Sequence, residues 1–144
     1  MDCANEYYNV GMDEFNTTLY EMLGGESGLK SLVDRFYEIM KTSPETKELR
    51  AMHAHNLKKS SEKLFMFLSG WSGGPQLYVE KYGHPRLRQR HLPFSIGAKE
   101  RDQWLWCMGK ALDQGGYDPR AVEYLKTRFS EVADFMRNRM EIDL

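Results

Sequence analysis

The chain has 144 residues and a formal net charge of −1, enough length for one domain with a real core. The even balance of charge excludes a global field for nucleic acid or an anionic membrane, and no apolar run approaches the ~20 residues of a membrane span. The two cysteines, Cys3 and Cys107, match no metal or redox spacing, and Cys107 falls in a helical pattern where a buried reduced thiol is expected. No charged, apolar and small signal pattern opens the chain, so a reducing cytoplasm is the expected setting.

Residues 1–14 are polar without a clear period and read as an extension ahead of a domain spanning 15–144. Asn16 or Thr17 is placed to cap a short helix that stops at Gly24-Gly25. From Glu26 to Thr42, Leu29, Leu32, Val33, Phe36, Tyr37 and Met40 repeat at three and four residues and predict an amphipathic helix. Ser43-Pro44 breaks it, and a short turn of helix is expected through Leu49. The next helix runs from Leu57, with Asn56 as a candidate cap, to Trp71. Leu57, Leu64, Phe67, Leu68 and Trp71 share its face, interrupted by Ser60 and Ser61. Either the serines lie at the edge of the stripe or something other than a large side chain fills that space. Ser72-Gly73-Gly74-Pro75 ends the helix, and Pro75 suits the first turn of another through Tyr82.

A basic segment follows, Gly83 to Ile96. His91 is its pivot: it sits where a helix of about two turns would end, because Pro93 disfavours helix before it. Ser95 is a candidate N-cap for a long helix through Gln114, whose apolar face is Trp104, Leu105, Met108, Ala111 and Leu112. Gly115-Gly116 stops it. Asp118-Pro119 reads as N-cap and first turn of a last helix, striped by Val122, Leu125, Phe129, Val132 and Met136 and reaching about Met140. The pattern predicts an all-α domain with one core.

Four features have two readings each. His91 is a metal ligand in a neutral state, or a packed or solvated histidine. His84, Arg86, Arg88 and Arg90 beside it meet the acidic edge of a ligand, or form a solvated face. Tyr37 aims a hydroxyl into a cavity, or bonds a backbone carbonyl in the core. Trp104 offers a donor-only indole N–H, or is core. His53 and His55, two apart, would diverge on a helix and make a poor metal pair there.

The run Gly73-Gly74-Pro75, Tyr78, Gly83-His84-Pro85, Arg86-Leu87-Arg88, Arg90-His91, Pro93-Phe94, Ile96, Arg101-Asp102, Trp104-Leu105 and Cys107-Met108 resembles the group II truncated haemoglobins, from about Leu23 to Met140. The resemblance implies a truncated globin fold, a two-over-two helical sandwich around haem b, that is, iron protoporphyrin IX, pentacoordinate with an open sixth site. It implies that His91 is the proximal iron ligand. It places Tyr37, Trp104, His53, Ser60 and Leu64 around the distal ligand. Phe36, Phe67, Leu68, Phe94, Ile96 and Met108 would wall the haem, and Lys63, Tyr78, Arg88 and Arg90 would meet its propionates. No residue is assigned a catalytic role.

On this reading O2, and with it NO and CO, is the ligand. Donors from Trp104 and Tyr37, with His53 as a third, would hold O2 firmly enough to favour storage, sensing or redox chemistry over bulk transport. The alternative is a haem-dependent peroxidase or an NO-detoxifying dioxygenase supplied by an external reductase, with His53 as proton donor. A third reading is a haem-free helical module whose basic segment binds an acidic partner. A monomer or homodimer is expected, with neither nucleic acid nor membrane as partner.

Overall fold

The computed structural model describes residues 17–138, which include no strand. Eight α-helices follow in order: α1 Leu19–Met22, α2 Gly25–Thr42, α3 Lys47–Ala51, α4 Lys58–Trp71, α5 Leu77–Tyr82, α6 Leu87–His91, α7 Ala98–Asp113 and α8 Pro119–Phe135, with a 3-10 turn at Pro44–Thr46 before α3. No helix among the described residues is long and apolar enough to cross a membrane.

The amphipathic stripe of α2 does what its spacing predicts. Leu29, Leu32, Val33, Phe36 and Met40 are all buried. They meet α7 on one side and α4 on the other, while α7 packs against α8. The α2–α4 pair therefore lies across the α7–α8 pair as a two-over-two sandwich. Between the layers sit Cys107, Met108, Ala111 and Leu112 of α7, Leu125 and Phe129 of α8, and Leu68 and Trp71 of α4. Each large side chain so buried contributes about 1.5–3 kcal/mol. Trp71 stacks on Phe129 with centroids 4.8 Å apart, which pins the end of α4 to the opposite layer.

Helix starts follow local chemistry, with departures from expectation. Thr18, not Asn16 or Thr17, caps α1: its hydroxyl accepts the Glu21 N–H at 3.1 Å. Asn16 lies outside the described residues, as do Met1–Glu14 and Met140. The cap of α7 is Gly97 rather than Ser95, because the Glu100 carboxylate reaches back to accept the Gly97 N–H at 2.7 Å. The cap residue of α4 is Leu57, and Asn56 lies one position ahead of it with its Oδ1 accepting the Lys58 N–H at 2.9 Å, while Asp118 caps α8 with Pro119 at its first position.

The last helix stops at Phe135, short of the expected Met140. Beyond it the Asn138 N–H donates to the Ile96 carbonyl at 2.9 Å, so the chain leaves the helix to pair with the segment before α7. The proximal helix α6 is also shorter than expected, five residues, with Arg86 in left-handed conformation at its start (φ 47°).

Candidate haem and gas-ligand site

His91 is the last residue of α6. Its Nδ1 lies 2.6 Å from the Leu87 carbonyl oxygen. A carbonyl only accepts, so Nδ1 carries the proton, and in the neutral ring Nε2 is left with a lone pair. A backbone partner of this kind fixes the tautomer and orientation of a metal-ligating histidine.

The loop that follows is held from far along the chain. Asn138 donates through Nδ2 to the carbonyls of His91 (3.1 Å) and Phe94 (2.8 Å), and its Oδ1 accepts the Ile96 N–H at 2.9 Å. Nothing in its local pattern marks Asn138. Its role exists only because α8 returns beside α6.

The distal candidates converge on Phe36, which is fully buried. The Tyr37 ring meets it edge-on at 4.9 Å, and the Trp104 ring at 5.2 Å. His53 lies edge-on to Tyr37 at 6.1 Å. Three elements contribute: α2 brings Phe36 and Tyr37, α7 brings Trp104, and the turn after α3 brings His53. Burial pushes the Tyr37 hydroxyl well above the usual phenol range, so it stays protonated and able to donate. Neither this hydroxyl nor the Trp104 indole N–H bonds to any described residue. Both flank the core without a hydrogen bond to a backbone carbonyl among the described residues.

His53 takes a different part from the one expected. Its Nδ1 is 2.8 Å from the Leu49 carbonyl, so in the neutral ring Nε2 has a lone pair and cannot donate. Burial holds this imidazole below its ordinary range, with repulsion from Arg50 and from His91 adding to the effect and the Leu49 bond opposing it. The neutral form therefore prevails at pH 7.

The remaining candidates spread over the same region. Ser60 and Leu64 are half-buried on α4, and Leu68 and Met108 are buried in the core. Phe67 meets Tyr78 edge-on at 6.4 Å; Ile96 is buried, and Phe94 is 43% exposed, a large aromatic without full protein cover. Arg90 bonds the Pro85 carbonyl at 2.8 Å and lies 5.6 Å over the Tyr78 ring, and Lys63 lies 5.5 Å from the Tyr82 ring. Arg88 turns the other way, over Phe135 at 6.0 Å. His55 is exposed and does not join His53.

Among the described residues no three His, Cys, Asp or Glu side chains converge to hold a bare metal ion. A metal reaching the His91 Nε2 lone pair would have to be held in a scaffold of its own. The partly uncovered Phe94, the cations Arg90 and Lys63 and the two uncommitted donors fit an iron porphyrin with its propionates.

Residues 18–138 match the family model for bacterial-like globins. The group 2 truncated hemoglobin YjbI of Bacillus subtilis is 40% identical over 124 residues, 86% of this chain and 91% of that protein. The cold-adapted truncated hemoglobin of the Antarctic marine bacterium Pseudoalteromonas haloplanktis is similar in structure, with TM-score 0.84 and 47% identity over 86% of this chain and 100% of that one. The group II 2-on-2 hemoglobin of Agrobacterium tumefaciens gives 0.83 and 41% over 88% and 98%. Sequence, helical architecture and the residues gathered around Phe36 thus agree: the chain belongs to the group II truncated haemoglobins.

Proposed function

We propose that this protein binds O2, and also CO and NO, at haem b carried by His91, and that Trp104 and Tyr37 hold the ligand by hydrogen bonds. Haem iron with one axial histidine supplies a coordination position for a diatomic gas on the opposite face. The observation that carries the reading is the pair of donors, the Trp104 N–H and the Tyr37 hydroxyl, both packed against Phe36 and bonded to no described residue.

His91 binds through Nε2 while Leu87 orients its ring. Arg90 and Lys63 would meet the carboxylates of the porphyrin, and Phe94, Phe67 and Ile96 would supply apolar cover and exclude water. Trp104 and Tyr37 would donate to a bound gas, and such bonds are stronger to a negatively charged acceptor than to a neutral one. Ser60, being small, leaves room where a larger side chain would fill the distal side, and Leu64 keeps that side apolar. Two such donors favour retention over release, and hence storage, sensing or redox chemistry over bulk transport.

The test is an optical spectrum of the oxidised and reduced protein, then O2 dissociation measured by stopped flow. A Soret band that shifts on adding O2 is expected. Trp104→Phe should keep the haem and raise the O2 dissociation rate about tenfold to a hundredfold, the loss of a bond of roughly 1.5–3 kcal/mol to a charged acceptor. A featureless spectrum that haemin cannot restore would overturn the haem reading; an unchanged rate would overturn the donor role of Trp104.

A further inference from the structure

Outside the site described above, the surface around Leu92 has the marks of an interface. Leu92 is 55% exposed and Phe94 43%, the large apolar side chains so exposed among the described residues. Phe94 serves the haem in the function proposed above, and Leu92 has no such use. Arg88 lies one helical turn before Leu92 on the same face, 6.0 Å over the Phe135 ring and 3.5 Å from the Arg137 carbonyl. The Arg137 Nε is buried and bonds to no described residue, an N–H in need of an acceptor. Residues 81–99 hold five Lys and Arg and no Asp or Glu, although the whole chain carries only −1. Asp134, the acid nearest Arg137 in the sequence, is already held by Arg101 at 2.7 Å.

The chain itself supplies a fitting occupant. Asn138 sits on the loop after α6, bonded to the carbonyls of His91, Phe94 and Ile96. Residues 139–144 therefore begin on that loop. They alternate charged with apolar side chains: Arg139, Met140, Glu141, Ile142, Asp143 and Leu144. Six residues span up to about 20 Å when extended, more than enough to cross a five-residue helix.

We infer that residues 139–144 dock on this surface, with Ile142 covering Leu92 and the carboxylates of Glu141 and Asp143 meeting Arg137 and Arg88. Residues 1–16 also suit the charge, with four acids and no Lys or Arg. Position separates the two. Thr18 packs at Gly73, where α4 ends, and the Tyr20 N–H donates to the Ser72 carbonyl, whereas Asn138 is bonded to the very loop that carries Leu92.

A segment seated there braces α6 from outside, at the residue next to His91, while Asn138 braces it from within. Where haem is held by His91, loss of haem is slowed. That consequence rests on the haem reading above; the docking does not.

The experiment uses the full chain in a Cys3→Ser background, which leaves buried Cys107 as the native thiol. Leu92→Cys is paired with Ile142→Cys, and separately with Val10→Cys, and each protein is oxidised by copper phenanthroline. Products are followed on non-reducing gels and located by peptide mass spectrometry. The 92–142 bond is expected to form at least tenfold faster than the 92–10 bond. Met140→Ser, which alters neither charge nor tether, should slow it severalfold. A faster 92–10 bond gives the surface to residues 1–16, and a disulfide-linked dimer gives it to a second copy; either overturns the inference. A 92–142 rate indifferent to Met140→Ser also overturns it, since tethering alone then brings the thiols together. Haem transfer to excess apomyoglobin is measured in parallel, with Ile142→Asp expected to lose haem severalfold faster than wild type. An unchanged rate overturns the bracing of α6 and leaves the docking. Failure to take up haem removes the haem reading, and the cross-linking decides the docking by itself.

Discussion

At the scale of single residues, the chemistry of this site is set by which nitrogen or oxygen each side chain has already used. His91 and His53 have both used Nδ1 on a backbone carbonyl. Tyr37 and Trp104 bond to no described residue. The neutral state of His53 is also linked to stability. Its folded pKa lies below the ordinary value of about 6.5, so its contribution is fully present above that pH and is lost as pH falls through the folded pKa. The haem-free protein should therefore lose stability on acidification below about pH 6.5, and His53→Gln should flatten that part of the profile. Urea denaturation at a series of pH values measures this, and parallel profiles for the two proteins would contradict it.

At the scale of elements, two short stretches depend on distant partners. The loop from His91 to Ile96 is tied by Asn138 through three side-chain bonds. Asn138→Asp keeps the acceptor for the Ile96 N–H and removes both donors, each net neutral bond contributing about 0.5–1.5 kcal/mol. It should speed haem loss severalfold, followed by transfer to excess apomyoglobin, with helix content unchanged by circular dichroism. Asn138→Ala should do so more strongly. The second stretch is the junction of α1 and α2. A helix-interior Gly→Ala change usually stabilises by about 1 kcal/mol. Gly28→Ala should do the reverse, because a Cβ there would lie 1.9 Å from the Leu23 carbonyl oxygen. A lower thermal midpoint in Gly28→Ala than in wild type is the expected result.

At the scale of the whole molecule, one aromatic side chain joins the layers. Phe129 of α8 stacks on Trp71 at 4.8 Å and meets Trp104 edge-on at 5.5 Å, and Trp104 in turn meets Phe36. Phe129→Ala should destabilise by about 3–5 kcal/mol, as large-to-small core changes of this size do. It also removes the backing that fixes the Trp104 ring, so O2 dissociation should quicken without loss of the Trp104 donor itself. Chemical denaturation and stopped flow on the same variant separate the two effects.

The sequence by itself determined most of the scaffold. The stripes of α2, α4, α7 and α8 are read from apolar spacing because a helix repeats every 3.6 residues whatever surrounds it, and the buried residues follow those stripes. Asp118-Pro119 marks a helix start because capping is a matter of a few adjacent residues. The motif around His91 and Trp104 pointed to a family, and the comparisons bear out that family. Tertiary structure decided the rest, for one physical reason: a hydrogen bond to a backbone carbonyl or a distant amide leaves no trace in local pattern. The end of α8 and the part played by Asn138 follow from a segment 42 residues away pairing with Ile96. The role of His53 turns on a single carbonyl, that of Leu49, which takes its Nδ1 proton and leaves a lone pair where a donor was expected.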